Sequence, residues 1–290
     1  MLLSEAFEIY RVEHIVYLNQ SKRTEEMSRN ACKSLIRFLG EDIPVADITF
    51  DTIRKWKEHL ERNMSQNTVR GYVMKLKVVI KHLNHKGEDV INHEMIGLPK
   101  RKQVVVDFLT EKEVSAMLKY CRKSKRTIGN NSVRNQAIIA LLYASGIRLS
   151  ELIALDISDI RDDGTFTVIG KGGKPRLCFN DNRSFRLIRQ YINLRNDTCK
   201  ALFISEHTGD RISKSTVQYL IRNSAKGAGI EKRVHPHILR HSFATNLLRN
   251  NTNLLYVKEF LGHESVQTTE MYTHVVNEDL RHIYQRQHSI

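Results

Sequence analysis

The chain has 290 residues, enough for two domains of ordinary size. Hydrophobic residues make up 41% and charged residues 27%, which excludes a disordered chain and a fibrous repeat. No apolar run reaches the roughly 18 residues of a membrane span, and the first residues show no signal-peptide pattern. The four cysteines stand singly, which argues against a disulfide framework or a cysteine-based zinc site. These features predict a soluble protein of the reducing cytoplasm.

The net charge of +14 is unevenly distributed along the chain. Residues 1–100 carry a net charge of +2, and residues 101–290 carry +12. Such a concentration favours a polyanionic partner, because each phosphate that is neutralised releases condensed counterions. A basic surface that serves only solubility is the alternative explanation of the charge.

Apolar residues recur at helical spacing in four stretches of the first hundred residues, which predicts a four-helix bundle. The first stretch covers 3–18, the second ends at Gly40, Asp51 caps the third, and the fourth covers 65–87. The third and fourth helices carry basic residues on their solvent side. The candidates for phosphate contact are Arg54, Lys55, Arg70 and Lys77.

The composition changes after residue 96. Gly97 and Pro99 precede three consecutive basic residues, and we expect an extended interdomain linker over 97–108 whose basic side chains are further candidates for phosphate contact. Those basic residues are Lys100, Arg101 and Lys102. Thr110 and Glu113 then form a capping box, which predicts that a new helix and a second domain begin there.

The second domain is predicted to be α+β, with one small antiparallel sheet among many helices. An apolar helix over 133–143 ends at Gly146. Short strands are expected around 154–160, 165–170 and 175–180. Further helices are expected near 183–194, 214–227, 236–249, 253–261 and 265–275.

Four segments of this domain contain side chains suited to phosphodiester chemistry. Two arginines can clamp the non-bridging oxygens of a phosphate, and histidines can donate to those oxygens or move a proton. A lysine can protonate a leaving alkoxide, and a tyrosine hydroxyl can act as a covalent nucleophile. The residues are Arg148 in SGIRLSEL, Lys171 in IGKGGKPR, His237 and Arg240 in HPHILRHSFAT, and, in the fourth segment, His263 in LGH with Tyr272 nine residues later in TTEMYTHV.

In these six positions, with their order and intervals, the chain resembles the tyrosine site-specific DNA recombinases, and among them the Xer-type recombinases and simple phage-type integrases. The resemblance implies a helical core-binding domain over 1–96, a linker over 97–108 and a catalytic domain over 109–276. The overall fold is then mostly α with a small antiparallel sheet. The N-terminal four-helix bundle and the catalytic domain together clamp double-stranded DNA.

The resemblance also implies a role for each of these side chains. Tyr272 attacks the scissile phosphate and forms a 3′-phosphotyrosyl link, while Arg148 and Arg240 stabilise the charge of the transition state. Lys171 is the general acid, with Lys174 on the same hairpin as its alternative. The remaining roles are proton transfer by His237, a phosphate contact by His263 and support of the pocket by Glu151. The reaction needs neither a metal nor ATP.

Several alternatives to these assignments remain open from the sequence. His237 and His241 have a spacing that suits zinc if a third ligand converges on them. A catalytically silent DNA-binding protein, or type IB topoisomerase-like relaxation without exchange, would share much of the pattern. Tyr256 and Tyr284 are the next candidates for the nucleophile. The biological role is either Xer-like dimer resolution, as in chromosome segregation, or integration and excision of a mobile element.

The last segment, 277–290, predicts a short helix with one apolar stripe, containing Leu280, Ile283 and Tyr284. A helix this short is marginal in water, so the stripe needs a surface to cover it. Packing in cis on its own domain is one possibility. The family resemblance implies docking in trans on a neighbouring protomer within a tetrameric synaptic complex.

Overall fold

The computed structural model describes residues 1–18, 20, 22–100, 107–123, 130–170 and 173–262. Contacts between Cα atoms divide the chain into two compact units, Met1–Val104 and Val105–Ile290. Each unit has its own hydrophobic core.

The described residues of the first unit form four α-helices: α1 (Leu3–Tyr10), α2 (Lys22–Leu39), α3 (Phe50–Glu61) and α4 (Gln66–His85). Short 3₁₀ turns lie at Val45–Asp47 and His93–Met95. The helices bury their apolar faces around Trp56, with Leu35 and Leu76 also fully buried. The predicted four-helix bundle is therefore present.

The structure confirms the predicted start of the fourth helix and corrects that of the third. Ser65 caps α4 by accepting a hydrogen bond from the Thr68 amide at 3.3 Å. The cap of α3 is Thr49, whose hydroxyl accepts from the Thr52 amide at 3.2 Å, and not Asp51 as predicted. The backbone of Thr49 is extended, as an N-cap requires, whereas Asp51 already lies in the first helical turn.

The first helix continues beyond Tyr10 as a π-helical segment, Arg11–Val16. The apolar pattern explains this change. Tyr10 and Ile15 are both buried although they are five residues apart, a spacing that a wider turn with i→i+5 bonds brings onto one face. Val12 and Leu18, which fit the α-helical spacing in the sequence, are instead about half exposed.

The second unit contains seven described helices and one described hairpin. The helices are α5 (Glu111–Lys123), α6 (Asn130–Ser145), α7 (Leu149–Ala154), α8 (Asn182–Leu194), α9 (Lys214–Gly227), α10 (Pro236–Arg249) and α11 (Leu254–Leu261). The hairpin consists of β1 (Thr165–Ile169) and β2 (Pro175–Phe179).

Helix α6 is the centre of the second unit. Its residues 137–142 are all buried, because α5, α8 and α10 pack around it. A helix that is apolar on every side belongs in the interior. The predicted capping box is present at the start of α5: the Thr110 amide donates to Glu113 at 2.8 Å, and the Glu113 amide donates to the Thr110 hydroxyl at 3.2 Å.

Strands β1 and β2 pair in antiparallel register, with Phe166 opposite Cys178 and Val168 opposite Arg176. The strand predicted around 154–160 is wrong. A 3₁₀ turn, Ile157–Asp159, occupies this stretch, and its strand-like pairing is limited to two isolated bridges, from Asp156 to Ala201 and from Ile160 to Phe166. The turn forms because the Asp159 carboxylate accepts the amide of Asp156, which a continuous strand would use in the sheet.

The predicted fold class, mostly α with a small antiparallel sheet, is confirmed for the residues that the structure describes. None of the described helices has the length and apolar character that crossing a bilayer requires.

Candidate active site

Arg148 lies at the start of α7, immediately after a turn that only glycine can make. Gly146 ends α6 with φ +62°, and a Cβ atom there would approach Phe243 Cδ1 to 2.3 Å. Arg148 is the N-cap of α7, and its backbone amide donates to Glu151 Oε2 at 2.7 Å. Its guanidinium also donates to Glu151 Oε1 at 2.8 Å. The SGIR segment thus fixes the side chain of Arg148 against Glu151.

Glu151 is a buried carboxylate between two guanidinium groups. Both Nη atoms of Arg176 donate to it at 2.8 Å, one to each oxygen, in addition to the bonds from Arg148. Burial alone would raise the pKa of Glu151, but hydrogen bonds from Arg176 and Arg148 outweigh it and lower this pKa to about 2. Glu151 is therefore ionised at neutral pH and holds both arginines in place.

Arg240 is a buried residue of α10, and it connects two of the sequence motifs. Its Nη1 donates to the Gly146 carbonyl at 2.7 Å, and its Nη2 donates to the Leu261 carbonyl at 2.6 Å. Gly146 belongs to the SGIR segment and Leu261 to the LGH segment. Three of the four motif segments therefore meet at one guanidinium group.

The C-terminal end of α11 is where the arginines converge. Three consecutive carbonyls accept hydrogen bonds: Phe260 from Arg176 Nε at 3.3 Å, Leu261 from Arg240 Nη2 at 2.6 Å, and Gly262 from Arg148 Nη2 at 3.1 Å. The last carbonyls of a helix lack intrahelical partners and carry partial negative charge. We call Arg148, Arg176 and Arg240, with Glu151, the arginine cluster. It brings together two arginines that the sequence predicted for the site and the acidic residue predicted to support them.

His237 lies in the first turn of α10, three residues before Arg240, and its side chain is exposed. The rings of His235 and His237 are 6.0 Å apart. Burial and the neighbouring charges of His237 and Arg233 lower the pKa of His235. His241 is buried in the same helix. Among the described residues, no three histidines, cysteines or acidic side chains converge as a metal site.

Several predicted site residues lie outside the residues that the structure describes. They are Lys171, His263, Tyr272, Arg101 and Lys102, together with the tail 277–290 and the helix expected near 265–275. Tyr284, an alternative nucleophile, is also outside. Tyr256 is in α11, with its side chain 65% exposed. Lys174, the alternative general acid, is exposed immediately before β2.

The basic residues predicted to contact DNA in the first unit have partners within that unit. Arg54 pairs with Asp51 and Glu58, and Lys55 pairs with Asp51. These side chains remain at least half exposed, so their charges still face solvent.

Arg70 and Lys77 donate instead to backbone carbonyls of the segment that follows α4. Arg70 binds the Pro99 carbonyl, and Lys77 binds the Ile96 carbonyl at 2.8 Å. Both side chains therefore hold the start of the predicted linker against the helix. Lys100 is exposed.

Arg176 is the residue of this site that sequence reasoning missed. It is part of the quoted segment IGKGGKPR, but nothing in that segment distinguishes it from a surface arginine. The only available signal was its alternation with Cys178, which places both on the same side of β2.

The sequence matches two known protein-family models. The family model described as the phage integrase family matches residues 107–279, and a phage integrase SAM-like domain matches residues 10–88. The chain belongs to the phage integrase family. It is a tyrosine recombinase, an enzyme of site-specific DNA recombination that cuts and rejoins strands.

Two curated relatives illustrate the similarity. Tyrosine recombinase XerD of Oceanobacillus iheyensis is 37% identical over 201 residues, which cover 67% of this chain and just under two thirds (66%) of that protein. Tyrosine recombinase XerC of Pelobacter propionicus is 30% identical over 253 residues, covering 86% of this chain and 82% of that protein. Both names agree with the recombinase interpretation, and neither favours a topoisomerase or a catalytically silent protein.

Solved structures of recombinases share the fold. XerA recombinase is 26% identical with a TM-score of 0.56, and the match covers 99% of this chain and 98% of that one. XerH recombinase, in a post-cleavage complex with its palindromic difH substrate, has a TM-score of 0.77 at 19% identity, with 99% and 84% covered. A lambda integrase dimer bound to a COC′ core site has a TM-score of 0.75 at 18% identity, with 92% and 97% covered.

Proposed function

We propose that this recombinase acts on double-stranded DNA with Tyr272 as the nucleophile. The phenolic oxygen of Tyr272 attacks the scissile phosphorus, and the bond from phosphorus to the 5′-oxygen breaks. The phenolic proton passes to His237, and the departing 5′-oxygen takes a proton from Lys171. The product is a 3′-phosphotyrosyl link, which the 5′-hydroxyl of a partner strand attacks in the reverse step. Because the phosphotyrosyl link retains the energy of the broken phosphodiester bond, the proposed reaction uses neither ATP nor a metal.

In this proposal Arg148 and Arg240 bind the non-bridging oxygens of the scissile phosphate. The single observation that carries the assignment is their convergence on the consecutive carbonyls of Leu261 and Gly262. These carbonyls directly precede His263, the residue that we propose as a third donor to the phosphate. Guanidinium groups held in place before the substrate arrives stabilise the charge that develops in the transition state.

We assign DNA binding to the first unit and catalysis to the second. The proposed boundaries are a core-binding domain over 1–96, a linker over 97–108, a catalytic domain over 109–276 and a tail over 277–290. The net +12 charge of residues 101–290 supports DNA contact by the proposed linker and catalytic domain. In the first unit, the half-exposed Arg54 and Lys55 are the better candidates for phosphate contact, because Arg70 and Lys77 bind backbone carbonyls.

The biological role proposed for the enzyme is Xer-like resolution of dimers or movement of a mobile element. The curated relatives named XerD and XerC support the first role. Mapping the DNA that becomes covalently attached to the full-length protein would distinguish them. Attachment at one chromosomal site indicates resolution, and attachment at the ends of an element indicates integration and excision.

The assignment of the arginines is tested by substitution in a cleavage assay. A library of nicked duplexes is incubated with the full-length protein, and DNA that stays attached in denaturant is sequenced to define a substrate. We expect Arg148→Ala and Arg240→Ala each to lower the rate of adduct formation on that substrate by about 10²–10³-fold. Arg161→Ala, at an exposed arginine outside the cluster, is the matched control. Near-wild-type cleavage by either cluster variant would remove that residue from the site.

A further inference from the structure

Arg176 is a charged side chain on the inward side of a strand. It lies opposite Val168 and two residues before Cys178, and both of these neighbours are buried. Only 12% of the Arg176 side chain is exposed. A guanidinium group in such a place is costly unless a charged partner and hydrogen-bond acceptors surround it.

The partners of Arg176 come from two other elements. Its two Nη atoms bind the two oxygens of Glu151 in α7, and its Nε donates to the Phe260 carbonyl in α11. Its aliphatic part lies against Gly262, where an added Cβ would approach Arg176 Cδ to 2.9 Å. One side chain therefore connects β2, the N-terminal turn of α7 and the C-terminal end of α11.

The charges of the cluster explain what this connection does. If Arg176 were absent, Glu151 would be paired with Arg148 alone, and one carboxylate would neutralise one guanidinium. With Arg176 present, the single negative charge is shared between two guanidinium groups, so Arg148 keeps positive charge for an anionic ligand. The fork of Arg176 also fixes both oxygens of Glu151, and through them the orientation of Arg148.

We propose that Arg176 is a positioning residue for the cleavage reaction: it holds Glu151, and through Glu151 orients Arg148 toward the scissile phosphate, without touching the DNA. The proposal rests on the function proposed above for Arg148. In this proposal strand β2, which carries Arg176, helps to set the charge of the phosphate site.

The test compares Arg176→Gln, Arg176→Lys and the wild type in single-turnover cleavage at saturating DNA. We expect Arg176→Gln to slow cleavage by about 10²-fold, because misplacement of a positioned group by about 1 Å has that effect. The Kd for the duplex should change less than about threefold, since Arg176 makes no contact with DNA. Arg176→Lys should recover only part of the rate, because one ammonium cannot bind both oxygens of Glu151.

A substrate with a methylphosphonate at the scissile position separates positioning from a general loss of structure. This substrate lacks one charged oxygen, so it depends less on the charge of Arg148. We expect the defect of Arg176→Gln to shrink to less than about tenfold on it. A merely structural defect would slow both substrates equally.

Arg195→Gln is the matched control. Arg195 is also a buried arginine, 4% exposed, which pairs with Asp197 and donates to the Leu202 carbonyl, but it does not contact the arginine cluster. We expect it to lower the melting temperature and leave the cleavage rate of the folded protein unchanged. If Arg176→Gln does not fold, the double variant Glu151→Gln with Arg176→Gln replaces the buried ion pair by two amides. No carboxylate neutralises Arg148 in the double variant, so it tests the loss of orientation alone, and we expect the same substrate dependence from that loss.

The outcomes for the two proposals are distinct. If the wild type forms no covalent adduct, the proposed function fails. If the wild type forms the adduct and Arg176→Gln, or the double variant in its place, cleaves both substrates as fast as Arg195→Gln, only the role of Arg176 is overturned.

Discussion

Glu151 shows at the scale of a single residue how the site tolerates a buried charge. Removing a carboxylate from water costs several kcal/mol, and charged hydrogen bonds from two arginines offset that cost. The pKa of Glu151 falls from an ordinary 4.5 in the unfolded chain to about 2 in the folded protein, so the folded state favours the ionised carboxylate. The charge of this one residue is therefore linked to the stability of the second unit.

The direction of that linkage gives a prediction. A carboxylate whose pKa is lowered on folding contributes stability above its unfolded pKa, and the contribution is lost as the pH falls from about 4.5 through about 2. We expect the stabilisation of wild type relative to Glu151→Gln to decrease by about 3 kcal/mol over this range. Urea unfolding of both proteins at a series of pH values measures it. Glu206→Gln, at an exposed carboxylate, is the control, and a difference independent of pH would contradict the pairing.

At the scale of elements, the ends of helices build the site. Gly146 directly follows α6, Arg148 is the N-cap of α7, and Gly262 is the C-cap of α11. All three ends present backbone groups or side chains to the arginine cluster. The glycines of the two motifs are thus explained by backbone geometry and by close packing against Phe243 and Arg176.

Replacing Gly146 tests this explanation. Gly146→Ala is expected to cost about 1 kcal/mol for the left-handed backbone and about 1–3 kcal/mol more for the collision with Phe243. Gly229→Ala is the matched control, because Gly229 also follows a helix with φ +75° but has no atom within 4 Å of an added Cβ. Gly229→Ala should lose only the stability that the left-handed backbone costs, about 1 kcal/mol. Equal losses in urea unfolding of the two variants would show that packing against Phe243 does not matter.

Local signals predicted most helix ends from the sequence, and non-local contacts explain the failures. The caps at Ser65 and Thr110 depend on neighbours within three residues, so the sequence alone indicates them. Arg176 depends on Glu151, which is 25 residues away. Side-chain polarity in β2 also misleads, because the apolar Leu177 and Phe179 are about half exposed whereas the charged Arg176 faces inward.

The same distinction applies to the catalytic assignments. The order of the motifs indicated the family, and the structure brings Arg148, Glu151 and Arg240 together. The sequence could not show that the arginines bind the carbonyls at the end of α11, because only the folded chain brings residues 148, 240 and 261 together. The catalytic roles of Arg148, Glu151 and Arg240 remain predictions, as do those of Lys171, His237, His263 and Tyr272.

At the scale of the whole molecule, assembly depends in our proposal on the tail. We propose that the helix predicted in 277–290 docks on a neighbouring protomer and connects four protomers on paired sites. Deletion of 277–290 should leave the Kd for one site within about twofold. It should also weaken cooperative binding and strand exchange, because the apolar stripe of the tail then no longer joins protomers.

Gel-shift titration on single and paired sites measures both effects. A variant with Ser289 and Ile290 removed, beyond the predicted apolar stripe, controls for shortening the chain. If the protein without 277–290 recombines paired sites as well as the full chain, the tail is only a local cap on its own domain.

The covalent adduct itself tests the account most directly. The full-length protein and Tyr272→Phe are incubated with the nicked substrate in excess chelator, denatured and digested, and the peptide that carries the DNA is identified by mass spectrometry. We predict an adduct in the wild type on the peptide containing Tyr272. In Tyr272→Phe we predict no adduct, although the duplex is still bound. An undiminished adduct in Tyr272→Phe, or an adduct on the peptide of Tyr256 or Tyr284, would contradict the assignment of the nucleophile.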